Sequence, residues 1–189
     1  MKIGSLFSGY GGLDLAVQEV FGAQVVWHCE WEDAPSVVLD AHWPGVPNYR
    51  DVTKVDFSQV ERVDILTGGF PCQDLSVAGK RKGLTDGTLS NLWFEFHRAI
   101  VELQPSFVVI ENVRGLLSGK AHSELECEVA GVGFDGSQPV LRAMGAVAGS
   151  LAEIGYDCRW VTVRASDAGA PHRRERVFVL ATPNAKHSG

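Results

Sequence analysis

Short apolar runs alternate along this chain with stretches whose apolar residues recur at helical spacing, and that alternation limits the fold more than any other feature. Residues 2–6, 24–29, 63–67, 107–113, 156–163 and 177–181 read as strands. Residues 12–20, 34–42, 93–103 and 140–154 read as helices. Strands separated by helices imply an α/β architecture, a mostly parallel twisted sheet with helices on both faces. Ligands of such sheets bind outside the carboxyl ends of the strands, so the residues that follow each strand are the first place to look for function.

The chain has 189 residues, of which 45% are hydrophobic, enough to bury the core of one domain spanning 1–189. Residues 118–139 are rich in Gly, Ser and Glu without periodicity and read as a surface excursion. The longest apolar runs, 107–110 and 177–181, are strand-sized, whereas a membrane span needs roughly 20 residues. A soluble protein without a membrane partner is expected. The opening Met1-Lys2-Ile3 enters a strand directly, without the three-part pattern of a signal peptide. Cys29, Cys72, Cys127 and Cys158 are scattered and form neither C-x-x-C nor metal-ligand spacing, so we expect no metal and at least one free thiol available for chemistry. A net charge of −6 argues against a strong nucleic-acid binder, because nonspecific DNA affinity comes from Lys and Arg neutralising phosphates.

The strand ends carry the informative residues. After the first come Phe7, Ser8, Gly9, Tyr10, Gly11 and Gly12, where glycines let the backbone turn tightly and approach a ligand. Taken alone, this is a strand-to-helix turn. Glu30 changes the reading, because an acid about 20 residues on, at the end of the next strand, can hydrogen-bond ribose hydroxyls. An adenosine-containing cofactor fits the pair. Trp31 can pack on the adenosine, and Asp51 and Val52, following a third strand, can hold the adenine. Taken singly, each of these reads as packing or a turn cap.

Pro71 fixes the backbone just before Cys72, which leaves a buried strand for a glycine-rich loop, so the thiol points outward. A lone cysteine would read as core; its neighbours reverse that, since a nearby cation populates the thiolate. Glu111 and Asn112 end an apolar strand at the same edge, where a partly desolvated carboxyl can carry a proton. Its competing reading is a loop acid or helix cap. Alternation turns Arg174 and Arg176 toward one side, or makes them a solvated basic edge. Lys80, Arg81 and Lys82, in the loop after Cys72, read equally as solvated charge or as a segment closing over a phosphate backbone.

Taken in order, these segments resemble the DNA (cytosine-5) methyltransferase family of bacteria and phages. Phe7 to Gly12 resembles its cofactor loop, Glu30-Trp31 and Asp51-Val52 its ribose and adenine contacts, Pro71-Cys72-Gln73 its nucleophile motif, Glu111-Asn112-Val113 its acid motif and Arg174-x-Arg176 its paired arginines. The resemblance covers nearly the whole chain and implies a Rossmann-like fold with S-adenosylmethionine as cofactor. It implies Cys72, Glu111, Arg174 and Arg176 as the catalytic set, with Leu13, Pro71 and Leu92 joining the cofactor contacts. It also implies Gln73, Ser76, Asn112 and the Lys80–Lys82 cluster as contacts to a DNA substrate. Cys72 would add to C6 of a flipped cytosine, Glu111 would engage N3 and Arg174 O2, and C5 would take the methyl group. Action in the cytoplasm of a bacterium or phage-infected cell, within restriction-modification, follows from the same resemblance.

Two departures stand out. His172 occupies the position two before Arg174, where the family commonly has Gln, and the sequence stops at Gly189, where the family continues into a target-recognition region and two final motifs. We therefore expect no recognition domain within 1–189 and full activity to need a missing part or a complementing subunit. Three alternatives stay open: a non-catalytic regulatory subunit or decoy, an RNA cytosine-5 methyltransferase, and a nucleotide-binding α/β protein using another cofactor.

Overall fold

The computed structural model describes residues 1–70, 91–118 and 143–184. Six strands form one sheet: β1 (Lys2–Leu6), β2 (Gln24–Cys29), β3 (Ile65–Gly68), β4 (Phe107–Val113), β5 (Tyr156–Arg164) and β6 (Glu175–Pro183). Their spatial order is β2-β1-β3-β4-β6-β5. The pairs β1–β2, β1–β3 and β3–β4 are parallel, while β6 runs antiparallel to both β4 and β5. The helices are α1 (Gly12–Phe21), α2 (Asp33–His42), α3 (Asn91–Leu103), α4 (Gly115–Ser118) and α5 (Ala143–Glu153). The chain leaves β1 toward β2 on one side and returns to β3 on the other, which makes a crevice at the carboxyl end of β1.

Alternation along the strands sorts their side chains into two cores. Ile3, Val25 and Ile65 pack with Val17 of α1 on one face, joined by the partly buried Phe107 and Val109. Leu6, Leu66, Val108 and Ile110 pack on the other with Trp93, Phe96 and Ile100 of α3 and with Val147 and Leu151 of α5. Helices thus cover both faces, as expected. A register shift between Ile3 and Gly4 breaks the simple alternation of β2. It aims Trp27 into the larger core and His28 toward α1. Gly4 is needed there, because a Cβ on it would lie 2.0 Å from the Trp27 ring.

The element readings differ from the structure at particular ends. The third strand expected before Asp51 is absent; Asn48 forms only an isolated bridge with His28. A 3-10 turn, Val52–Lys54, follows it, and the polar Asn48 side chain takes over backbone bonding that a strand would have supplied. β3 starts at Ile65 rather than 63, and β6 extends two residues beyond 177–181 at each end. The 140–142 start of the last helix and nearly all of the 118–139 excursion lie outside the described residues. Among the described residues, no helix is long and apolar enough to cross a membrane.

Candidate active site

The loop after β1 has three left-handed residues, Phe7 (φ 52°), Gly9 (φ 53°) and Gly11 (φ 78°). Phe7 is anchored by its amide, which donates to the Cys29 carbonyl at 2.8 Å, and its ring stacks on Phe96. Gly9 has open space where a side chain would stand, whereas a Cβ on Gly11 would lie 2.5 Å from the Trp43 ring. The first glycine therefore leaves room for a ligand, and the second lets α2 pack against the turn.

Beside that loop lies a cavity of about 590 Å³, within the range of small-molecule sites. Glu30 is buried at 8% exposure on its wall. One carboxylate oxygen accepts from the Gly9 amide at 2.8 Å and the other from the Glu32 amide at 2.9 Å. Its own amide donates to Asn48 Oδ1 at 2.9 Å. A single side chain thus ties the glycine loop to the segment that leads into α2. Opposite, Asp51 caps the 3-10 turn, accepting from the Thr53 amide at 3.1 Å and the Thr53 hydroxyl at 2.7 Å, with Lys54 Nζ 3.0 Å away. Those bonds, the Thr53 hydroxyl first, hold its carboxyl below the usual carboxylate range. Val52 is buried behind it, its carbonyl accepting from Arg98 at 2.9 Å.

Of the residues expected to hold the cofactor, Phe7, Gly9, Glu30, Trp31, Asp51, Val52 and Leu92 line this cavity. Ser8, Gly11, Gly12 and Leu13 are not among the residues that line it. Ser8 shares a 2.8 Å hydrogen bond with Ser5, Gly12 opens α1, and Leu13 packs into the α1 core. They shape the turn that presents Gly9.

A second cluster adjoins the first through Gly69, which lines the cavity and on which a Cβ would lie 3.2 Å from Glu111 Oε2. Glu111 forms an ion pair with Arg176 across β4 and β6, Nε to Oε1 at 2.6 Å, with both side chains half-buried. This bond fixes the orientation of the carboxylate while leaving its second oxygen toward Gly69. Arg174 lies just before β6 and is exposed. Its amide donates to His172 Nδ1 at 3.4 Å, so the histidine retains a hydrogen bond at that position. Asn112, expected among the DNA contacts, is buried at 3% exposure. Its carboxamide donates to the Phe70 carbonyl at 3.1 Å and accepts from the Val113 amide at 2.8 Å, so it ties β4 to the segment that follows β3. Pro71, Cys72, Gln73, Ser76, Lys80, Arg81 and Lys82 lie outside the described residues.

The model of the C-5 cytosine-specific DNA methylase family matches residues 1–188. The chain belongs to that family. It is 29% identical over 99% of its length to the type II methyltransferase M.Bsp6I of Bacillus sp. (strain RFL6), of which it covers 54%. With the type II methyltransferase M.NlaIV of Neisseria lactamica it shares 30% identity over 98% of its length, covering 42% of that protein. The chain thus spans about half the length of the curated relatives it matches. The crystal structure of the S. pombe Dnmt2 methyltransferase superposes with a TM-score of 0.71 at 18% identity, over 100% of this chain and 53% of that one, a likeness of fold.

The cavity is lined as well by Tyr10 of the glycine loop and by residues that the motifs did not single out, among them Cys29, Glu32, Pro35, Arg50, Thr53 and Gly69. Gly69 was legible in principle, since it follows a strand directly. Cys29 is buried, and desolvation pushes its thiol up to about 12, which makes it an inert wall. Arg50 carried no signal, because its importance rests on a backbone angle, φ 65°, that an arginine does not advertise.

Proposed function

We propose that this chain transfers the methyl group of S-adenosylmethionine to C5 of cytosine in DNA. The observation that carries the reading is the junction at Gly69, where the adenosine-sized cavity walled by Glu30 meets the Glu111–Arg176 pair. A methyl donor in the first and a pyrimidine at the second would be neighbours. Glu30 would hold the ribose hydroxyls, Val52 and Trp31 would flank the adenine, and Gly9 would admit the ligand where a side chain would intrude. S-adenosylmethionine supplies an electrophilic methyl group when bound.

The chain's own residues then account for making C5 a nucleophile. The Cys72 thiolate adds to C6 of a cytosine turned out of the stack, breaking the C5–C6 double bond and placing electron density at C5. Glu111, oriented by Arg176 through one oxygen, takes up a proton on the other and donates it in a hydrogen bond to N3, which offsets the negative charge that the adding thiolate places on the ring. Arg174 would hold O2. Once C5 has taken the methyl group, loss of its proton restores the double bond and expels Cys72. Asn112 supports the thiol indirectly, by holding the carbonyl of Phe70 two residues before it. We further place this activity in the cytoplasm of a bacterium or phage-infected cell, with sequence recognition supplied by surfaces beyond these residues, such as a complementing subunit.

Covalent trapping tests the proposal. Incubated with S-adenosylmethionine and a duplex containing 5-fluorocytosine, the chain should form a denaturation-resistant adduct, because fluorine cannot leave C5 as a proton does. Cys72→Ala should form none. An adduct that persists in Cys72→Ala would overturn the nucleophile, and an adduct formed on fluorinated RNA but not DNA would reassign the substrate.

A further inference from the structure

We propose that Arg50 is a latch on the cofactor cavity, a positioning residue that clamps its two walls together across the mouth; this deepens the cofactor reading and rests on it. Three observations lead to it. Arg50 occupies the left-handed region at φ 65°, which glycine enters freely and a residue with a Cβ enters at a cost. Such strain persists where surrounding contacts determine it, and here they do: the Arg50 amide donates to Asn48 Oδ1 at 3.1 Å and its carbonyl accepts from Cys29 Sγ at 3.4 Å.

What the strained backbone achieves is the direction of the side chain. The guanidinium donates to the Ser36 hydroxyl, to the Asp33 carboxylate and, at 3.4 Å, to the Glu32 carbonyl. Those partners surround the start of α2, where a cation opposes the helix dipole and is not placed by helix electrostatics. Asp33 offsets that charge. The third observation is where the bridge runs. Trp31, Glu32 and Pro35, at the entry to α2, and Asp51, Val52 and Thr53, at the 3-10 turn, all line the cavity. Arg50 stands between them and is the sole cation among the described residues that line it.

The consequence is a separation of stability from binding. Arg50→Gly removes the latch and relieves the backbone at once, so it should unfold no earlier than the wild type. Yet it should bind S-adenosylhomocysteine about tenfold more weakly, through faster dissociation. Asp33→Ala should show a similar loss, and the double variant should lose little more than either single one, because both remove the same bridge.

Calorimetry and stopped-flow displacement with S-adenosylhomocysteine, beside thermal unfolding of each variant, decide it. Weaker binding by Arg50→Gly without a fall in melting temperature supports the latch. Unchanged affinity and dissociation rate in that variant overturn it while leaving the cofactor reading intact. Affinity and melting temperature falling together also overturn it, since the residue would then be merely structural. Failure of the wild-type chain to bind the ligand overturns both readings.

Discussion

Glu30 carries two roles, since each of its carboxylate oxygens holds a backbone amide, Gly9 at 2.8 Å and Glu32 at 2.9 Å, and keeps a second lone pair for a ribose hydroxyl. Glu30→Ala should therefore weaken S-adenosylmethionine binding by about 10- to 100-fold and cost about 1–3 kcal/mol of stability, for buried donors left unpaired. Titration calorimetry and urea unfolding check the two effects, and unchanged affinity would remove the ribose assignment. Glu30→Gln should fall between, because an amide nitrogen cannot accept the second bond. Glu111→Gln separates chemistry from binding. It keeps the shape beside Arg176 but removes the group that exchanges a proton with N3, so turnover should drop by about 100-fold or more while cofactor affinity stays within about twofold; single-turnover methylation beside calorimetry tests this. Glu30 was legible because an acid at the second strand end is a spacing argument. The burial of Asn112 was not legible, because a polar residue at the end of a strand does not name the chain that covers it. Its burial depends on Phe70, 42 positions away.

Four elements meet at a buried cluster that is tied to the glycine loop through the Ser5–Ser8 hydrogen bond. Asp14 of α1, 1% exposed, accepts from Ser5 of β1 at 2.8 Å and from Thr67 of β3 at 2.5 Å. His28 of β2 lies 4.0 Å from it, and neither ring nitrogen has a hydrogen-bond partner among the described residues. Burial raises the Asp14 carboxyl to about 6 and lowers the His28 imidazole to about 4. The two linkages oppose each other. Asp14 contributes stability that is present below its unfolded value of 3.8 and lost as pH rises through 6; His28 contributes stability present above 6.5 and lost as pH falls through 4. Each spans about 3 kcal/mol, so between about pH 4 and 6 they nearly cancel. In urea unfolding across that window, stability relative to the wild type should climb with pH in Asp14→Asn and decline in His28→Phe. Profiles parallel to the wild type would refute the opposition. At this scale the strands at 2–6, 24–29 and 107–113 were readable from their apolar runs. The supposed strand before Asp51 was not, since an extended segment bonded through the Asn48 side chain has the composition of a strand without its ladder. The cluster itself was invisible, because the shift that aims His28 at α1 comes from pairing between β1 and β2.

For the molecule as a whole, the proposed chemistry and the affinity for DNA that it requires would reside in different features. The Glu111–Arg176 pair and the Glu30 cavity share one edge of the sheet, yet Lys and Arg number 17 against 23 Asp and Glu. Several arginines near that edge are already engaged, Arg114 with Glu175 at 3.0 Å and Arg176 with Glu111. Counterion release scales with the phosphates a protein neutralises, with a slope of about −0.9 per contact. Fluorescence anisotropy on a labelled duplex should therefore give a shallow dependence on salt, with a slope no steeper than about −3. A steep slope would reveal a phosphate-tracking surface that the charge balance hides. If the dependence is shallow, occupancy rather than reactivity limits the chain, and joining it through a flexible linker to an unrelated basic DNA-binding domain should raise methylation at low DNA concentration. That gain would come from effective concentration, so KM for DNA should fall while kcat stays within about twofold. A rise in kcat would instead mean that bound DNA reshapes the site at the Gly69 junction.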